Sequence, residues 1–193
     1  MAVSLVSTGV QFPDSTIQTT AASPALTLIG TSTANATGSS WFVSVGVTGW
    51  ASTYKYLVWT LSGKLGTSTS STNMVWAFNS LSGSNYYEYG YWGSTVTGAA
   101  SSSYINNITT VSTNVSSVNG WGIIQGTEST ATYNTYPTIR GNIQTSTRGT
   151  EWFSGGLRRD TSGYSGQITS VQYGTNGSSV TQGNITLTIY GVA

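Results

Sequence analysis

Cysteine and histidine are both absent from this chain of 193 residues. Without cysteine there is no disulfide, no thiolate metal site and no thiol nucleophile. Without histidine there is no Ser-His-Asp triad, no imidazole base and no imidazole ligand. Charge is scarce too: six Lys or Arg and five Asp or Glu make up 6% of the residues, against roughly 25% in an average globular protein. The basic residues are scattered, and the one adjacent pair, Arg158-Arg159, is followed at once by Asp160. That is not the concentrated footprint a nucleic-acid binder needs to displace counterions. No run approaches the ~18 apolar residues of a membrane span. The opening MAVSLVSTG has neither the basic n-region nor the apolar h-region of a secretory signal. A nucleic-acid partner and a membrane span are therefore not expected.

Catalytic parts are equally few. A glycosidase needs two carboxyl groups roughly 5–9.5 Å apart, and Glu88, Glu128 and Glu151 can supply them only if the fold brings them together. Asp160, in RRDTSGYSG, is a lone acid among small polar residues and reads as a turn rather than a Ca²⁺ site, which takes several oxygen ligands. No glycine pattern is followed by Lys-Ser/Thr after a strand, as a phosphate-binding loop requires. The expectation is a protein that is not an enzyme and that carries no cofactor or metal.

What fills the chain instead is small and polar. Serine and threonine make up about a third of it, with 24 glycines, 12 tyrosines and seven tryptophans. Low net charge with many aromatics argues against disorder, and Thr, Tyr, Trp and Val suit a pleated, half-buried surface. No good helix is found. Period-two alternation recurs instead. It is cleanest in NITLTIYGV, residues 184–192, where Ile185, Leu187 and Ile189 face one way and Thr186, Thr188 and Tyr190 the other. YKYLVWTL, residues 54–61, sets Leu57, Trp59 and Leu61 against Tyr56 and Val58. Further strands are expected at 26–30, 41–47, 73–79, 86–92, 121–125, 138–144 and 167–173. Turns are expected at Ser62-Gly63, Ser82-Gly83, Asn119-Gly120, Gly155-Gly156 and Asn176-Gly177. The stretch 95–118 reads either as a strand pair with a long loop or as one irregular connection. Such short strands at this spacing indicate an all-β fold, an antiparallel jelly roll or β-sandwich. An extended N-terminal arm, residues 1–23, precedes the jelly-roll domain, 24–193, with the boundary near Ser23-Pro24.

One segment stands out as a binding surface. NYYEYGYW, residues 85–92, read as a strand, places Tyr87, Tyr89 and Tyr91 on one face and Tyr86, Glu88 and Trp92 on the other. An exposed Tyr/Trp row offers flat apolar area with polar tips, on which saccharide rings also stack. Tyr87, Tyr89, Tyr91 and Trp92 are thus candidate contacts to a glycan or a protein partner. The bland alternative makes one face core and packs the other under a loop or a subunit. Trp41, Trp50, Trp59, Trp76, Trp121 and Trp152 are expected mostly in the core.

The polar stretch VQFPDSTIQTTAA, residues 10–22, frays unless something outside its own domain holds it. It resembles a leader, hydrophobic-x-FPD-G/S-T-hydrophobic-Q-T-T-A-A, found in tail fibre and related structural proteins of tailed bacteriophages. The match runs through Val10, Phe12, Pro13, Asp14, Thr16, Ile17, Gln18, Thr19, Thr20, Ala21 and Ala22, with Ser15 where glycine is usual. Pro13-Asp14-Ser15 forms a tight turn between two extended pieces, Val10–Phe12 and Thr16–Thr20. The order LTLIGTSTA, WFVSVGVTG, YKYLVWTLSG, GQITSVQY, GNITLTIYGV resembles a jelly-roll domain of phage, including cyanophage, virion proteins. The resemblance implies a virion structural protein on the outside of the particle, in tail or capsid. Val10, Phe12, Pro13, Asp14, Ile17 and Gln18 would form a docking and oligomerisation arm. Phe12 and Ile17 from three chains would meet about a threefold axis, giving a homotrimer, or the arm would add a strand to a neighbour's sheet. The expected function is a tail fibre or baseplate-associated adhesin whose partners are other virion proteins and host surface glycan. The alternative is a capsid decoration protein, a cement or head fibre on the major capsid protein. A polysaccharide-degrading enzyme comes third.

Overall fold

The computed structural model describes the chain path at 4–6, 9–11, 17–18, 26–34, 38–39, 42–67, 72–80, 86–92, 95–102, 105–111, 116–126, 137–146, 149–157, 168–175 and 179–193. Side chains are described at 26–34, 43–66, 74–80, 105, 117–126, 137–146, 149–156, 168–175 and 183–193. Among the described residues every regular element is a strand, apart from a short 3-10 turn at Trp50–Ser52. In chain order the strands are β1 (Ser4–Val6), β2 (Gly9–Gln11), β3 (Ile17–Gln18), β4 (Thr27–Ala34), β5 (Gly38–Ser39), β6 (Phe42–Gly46), β7 (Tyr56–Thr67) and β8 (Thr72–Phe78). They continue with β9 (Tyr86–Trp92), β10 (Thr95–Ser102), β11 (Ile105–Val111), β12 (Ser116–Gln125), β13 (Thr138–Thr145), β14 (Gly149–Leu157), β15 (Ser170–Thr175) and β16 (Ser179–Val192).

All strand pairs are antiparallel, and they form three sheets. The largest has nine strands in the order β10-β9-β14-β13-β12-β7-β16-β4, with β5 also paired to β16. A four-stranded sheet, β11-β8-β15-β6, packs against it, with β11 over β9 and β14 at one end and β6 over β4 and β16 at the other. The result is a β-sandwich. The third sheet, β1-β2-β3, is built entirely from the leader. There Val10 pairs with Gln18 and Gln11 with Ile17, so the chain on either side of residues 12–16 runs antiparallel.

The core is the expected alternation made solid. Leu57, Trp59 and Leu61 on β7 and Ile185, Leu187 and Ile189 on β16 are buried, while Tyr56, Val58, Thr186, Thr188 and Tyr190 are half-buried. Four rings from both layers meet at its centre. The Trp76 ring on β8 lies 4.6 Å from that of Trp59, 4.7 Å from that of Tyr173 and 5.9 Å, nearly parallel, from that of Phe153 on β14. Such tilted and stacked pairs each add roughly 0.5–1.5 kcal/mol beyond the area they bury. At the rim of the smaller sheet, Asn79 adopts φ 53°, a left-handed conformation that asparagine tolerates better than most residues. Its Oδ1 accepts from the backbone N–H groups of Thr169 and Ser170 at 2.7 and 3.0 Å, tying the end of β8 to the start of β15.

Three expected turns are not turns. Ser62-Gly63 lies within β7, Asn119-Gly120 within β12 and Gly155-Gly156 within β14. At Gly63 and Gly120 the glycine serves close approach rather than chain reversal. Gly63 has φ +147°, and a Cβ there would strike the backbone of Asn184 and Ile185 on β16. The stretch 95–118 resolves into β10, β11 and the start of β12, so the reading as one irregular connection is set aside. Ser82-Gly83, Asn176-Gly177 and Trp41 lie outside the described residues.

Candidate binding groove on the outer sheet face

Strands β12, β13 and β14 are neighbours within the nine-stranded sheet, and two of them invert the usual alternation. On β12 the residues facing the core are Val118, Gly120, Gly122 and Ile124, and Trp121 faces out. On β14, Glu151 and Phe153 are buried, and Trp152 faces out. The expectation that Trp121 and Trp152 belong to the core is therefore corrected: they are 56% and 55% exposed. Trp50, Trp59 and Trp76 are buried as expected.

The physical reason is the packing of Trp59. Its indole reaches against the inner face of β12 and β13, into space that two cross-strand glycines leave open. A Cβ on Gly122 would stand 2.6 Å from Trp59 Cζ2, and one on Gly141 would collide with the same atom. Gly122 and Gly141 are directly paired. Where the inward positions must be glycine, the bulky neighbours on the same strands can only point outwards, because successive side chains alternate faces.

On the outer face this produces a groove. Register places Trp121 opposite Asn142 and Asn142 opposite Trp152; on the next rung Ile123, Arg140 and Ser154 align in the same way. The depression has a volume of about 420 Å³, with Trp121 and Ile123 on one side, Trp152 and Ser154 on the other and Arg140 between them. Its floor includes the backbone of Gly122 and Gly141, directly behind which lies the ring of Trp59. Two strand spacings, about 9.6 Å, separate the two tryptophan-bearing strands. Asn142 stands between them on the tryptophan rung, and the groove opens on the side of Arg140, where a ring can lie against one indole.

Among the described residues lining the groove, Arg140 is the one that carries a charge. Its Nη2 donates to Oε1 of Gln125 at 3.0 Å, which orients the guanidinium while using one of its five N–H donors. Beyond the groove, threonines pair on the outer face across strands β4 and β16. Thr31 donates to Thr188 at 3.2 Å, and Thr33 and Thr186 share a hydrogen bond of 2.8 Å.

The residues singled out from sequence fall around this site rather than in it. β9 pairs with β14 so that Tyr91, Tyr89 and Tyr87 stand opposite Trp152, Ser154 and Gly156. Their register positions thus extend the outward face from the groove towards the β10 edge, with Trp92 at the end of the same strand. The side chains of Tyr87, Tyr89, Tyr91 and Trp92 lie outside the described residues. In the leader, Val10 lies on β2, and Ile17 and Gln18 lie on β3, while Phe12, Pro13 and Asp14 lie outside the described residues. Of the candidate acids, Glu151 is buried on the inner face. Glu88 stands opposite Gly155, four positions further along β14, about 13 Å away at the rise of a strand. Glu128 lies outside the described residues.

Sequence reasoning missed Trp121, Trp152 and Arg140, yet a signal was present. Gly120-Trp121-Gly122 sets one large residue between two with no side chain; in a strand, that is a bulky face backed by an empty one. No protein-family model matches the chain, and neither curated proteins nor solved structures match it significantly.

Proposed function

We propose that this chain is a non-catalytic adhesin of a tailed-phage virion, a tail fibre or baseplate-associated component that holds host surface saccharide in the Trp121/Trp152 groove. The observation that carries the binding half of this reading is the pair of outward tryptophans. Indoles left more than half exposed on a sheet face, over a floor braced by the core, bind by stacking without rearrangement, so little ordering entropy opposes the ligand. Support for the virion half comes from the FPDST-IQTTAA leader at Phe12–Ala22. In this reading the sandwich has jelly-roll connectivity. The leader docks the chain as a homotrimer onto other virion proteins, and the domain stands on the virion exterior.

The test uses the full chain with Trp121→Ala and Trp152→Ala. Each should lower binding to host cells or to their extracted envelope polysaccharide about tenfold or more, as expected when a stacking anchor worth ~2 kcal/mol is removed. Circular dichroism and melting temperature should stay unchanged. Binding that survives both substitutions removes the groove from the reading.

A second reading, the capsid decoration protein, draws on a different feature. Leu26 and Leu28 are exposed at the free edge of the nine-stranded sheet, where a protein neighbour would gain both apolar area and backbone hydrogen bonds. Labelled chain spread over the shell of intact particles would favour this reading; label confined to the tail would favour the adhesin.

A further inference from the structure

We infer that the saccharide held in the groove is an acidic one, its ring against Trp121 or Trp152 and its carboxylate on Arg140. This rests on the saccharide reading above and narrows it to a chemical class.

The argument begins with charge. In a chain with only 6% charged residues, a cation one rung from two exposed indoles is conspicuous, and none of the described residues lining the groove is acidic. An arginine kept merely for solubility has the whole outer face available. This one is placed one rung from the tryptophan pair, opposite Ile123 and Ser154. The hydrogen bond to Gln125 fixes one nitrogen of the planar guanidinium and leaves donors for a ligand. Guanidinium and carboxylate match as two parallel N–H···O bonds, a geometry that lysine does not reproduce. The walls are apolar, so the bond forms beside surface that excludes water, where charge-assisted bonds are stronger than in open solvent.

The distances suit a uronic-acid type of residue. Successive outward positions on a strand are about 6.8 Å apart, so the rung of the tryptophans and the rung of Arg140 are separated by little more than the breadth of one sugar ring with its exocyclic carboxylate. A neutral hexose of the same shape would stack equally well but would leave the guanidinium with only neutral partners.

The test is affinity electrophoresis of the full chain against polygalacturonate, alginate and hyaluronan, against the carboxyl-reduced form of each, and against dextran sulfate. The expected result is retention by at least one carboxylated polymer, about tenfold weaker retention by its reduced form, and similar weakening by Arg140→Gln, the factor a charge-assisted bond supplies. Arg140→Lys should restore part of the preference, and Gln125→Ala should lower it a few-fold. Trp121→Ala should lower retention by charged and reduced polymers alike. Equal retention of carboxylated and reduced polymers, or no effect of Arg140→Gln, overturns the inference while leaving a saccharide-binding groove. Retention of dextran sulfate as strong as that of the best carboxylated polymer also overturns it, since bare polyanion attraction would then suffice. Retention of none of the polymers, charged or neutral, overturns the saccharide reading and this inference together.

Discussion

At the scale of single residues, the core is organised around the two glycines that let Trp59 pack against β12 and β13. Gly122 is the more constrained. A methyl group there meets Trp59 Cζ2 at 2.6 Å, and it also runs into the carbonyl of Arg140 and the Cα of Gly141. The first obstacle is a ring pinned by Trp76 and Phe153, and the others are backbone of the adjacent strand, so nothing can give way cheaply. Overpacking a core costs typically 1–3 kcal/mol, and a clash with paired backbone belongs at the upper end. Gly122→Ala should therefore destabilise by about 3 kcal/mol and lower the melting temperature by roughly 6–12 °C for a domain of this size, measured by calorimetry. Because the same backbone floors the groove, saccharide binding should weaken in the surviving folded protein. A melting temperature within ~2 °C of the parent would mean that the sheet can slide away from Trp59, and the rigid floor would be lost as an argument.

At the scale of elements, the same glycines explain what was legible in the sequence. β7 and β16 follow the rule that a half-buried strand alternates apolar and polar residues, and their faces are readable residue by residue. β12 and β14 break it, with tryptophan outside, glycine inside, and Glu151 buried where an apolar residue is expected. Strand β14 is accordingly not legible from alternation, and its Gly155-Gly156 reads as a turn in sequence. The departures cluster at the groove, as expected where a surface is shaped for a ligand rather than for folding alone. The edge strand β4 departs in another way. Edges are normally blunted by charge, proline or brevity, yet Thr27–Ala34 spans eight residues and contains no charge and no proline. Its register shift between Ile189 and Tyr190 is the one protective irregularity. Leu28, 59% exposed, is the natural place for a missing charge. Leu28→Lys should leave the melting temperature nearly unchanged, as surface substitutions do within about ±0.5 kcal/mol, and should reduce light scattering on heating. Unaltered scattering would place the sticky surface elsewhere.

At the scale of the whole molecule, the issue is how the leader relates to the sandwich. Among the described residues, the hydrogen-bond ladders of the two packed sheets begin at Thr27, and the strands before it pair with one another, β1 with β2 and β2 with β3. A sheet of two- and three-residue strands has little stability of its own, so in the proposed trimer it persists by joining the leaders of other chains. In that proposal Phe12 and Ile17 would supply the apolar contact about the shared axis. Two consequences separate cleanly. Deleting residues 1–22 removes no strand from the sandwich, so the melting transition should stay cooperative and shift by no more than ~2 °C. The same deletion should convert a species of about 61 kDa, three chains of 20.2 kDa each, into a monomer by sedimentation equilibrium. The groove lies on the sandwich, so a monomer should keep the affinity of each site and lose only the avidity of three sites acting together, a drop of about 10²–10⁴ on a multivalent surface. A full-length chain that already sediments as a monomer at micromolar concentration would defeat the trimer. A truncated chain that still sediments as a trimer would move the subunit contact to the sandwich, where the free edge at β4 is the first surface to examine.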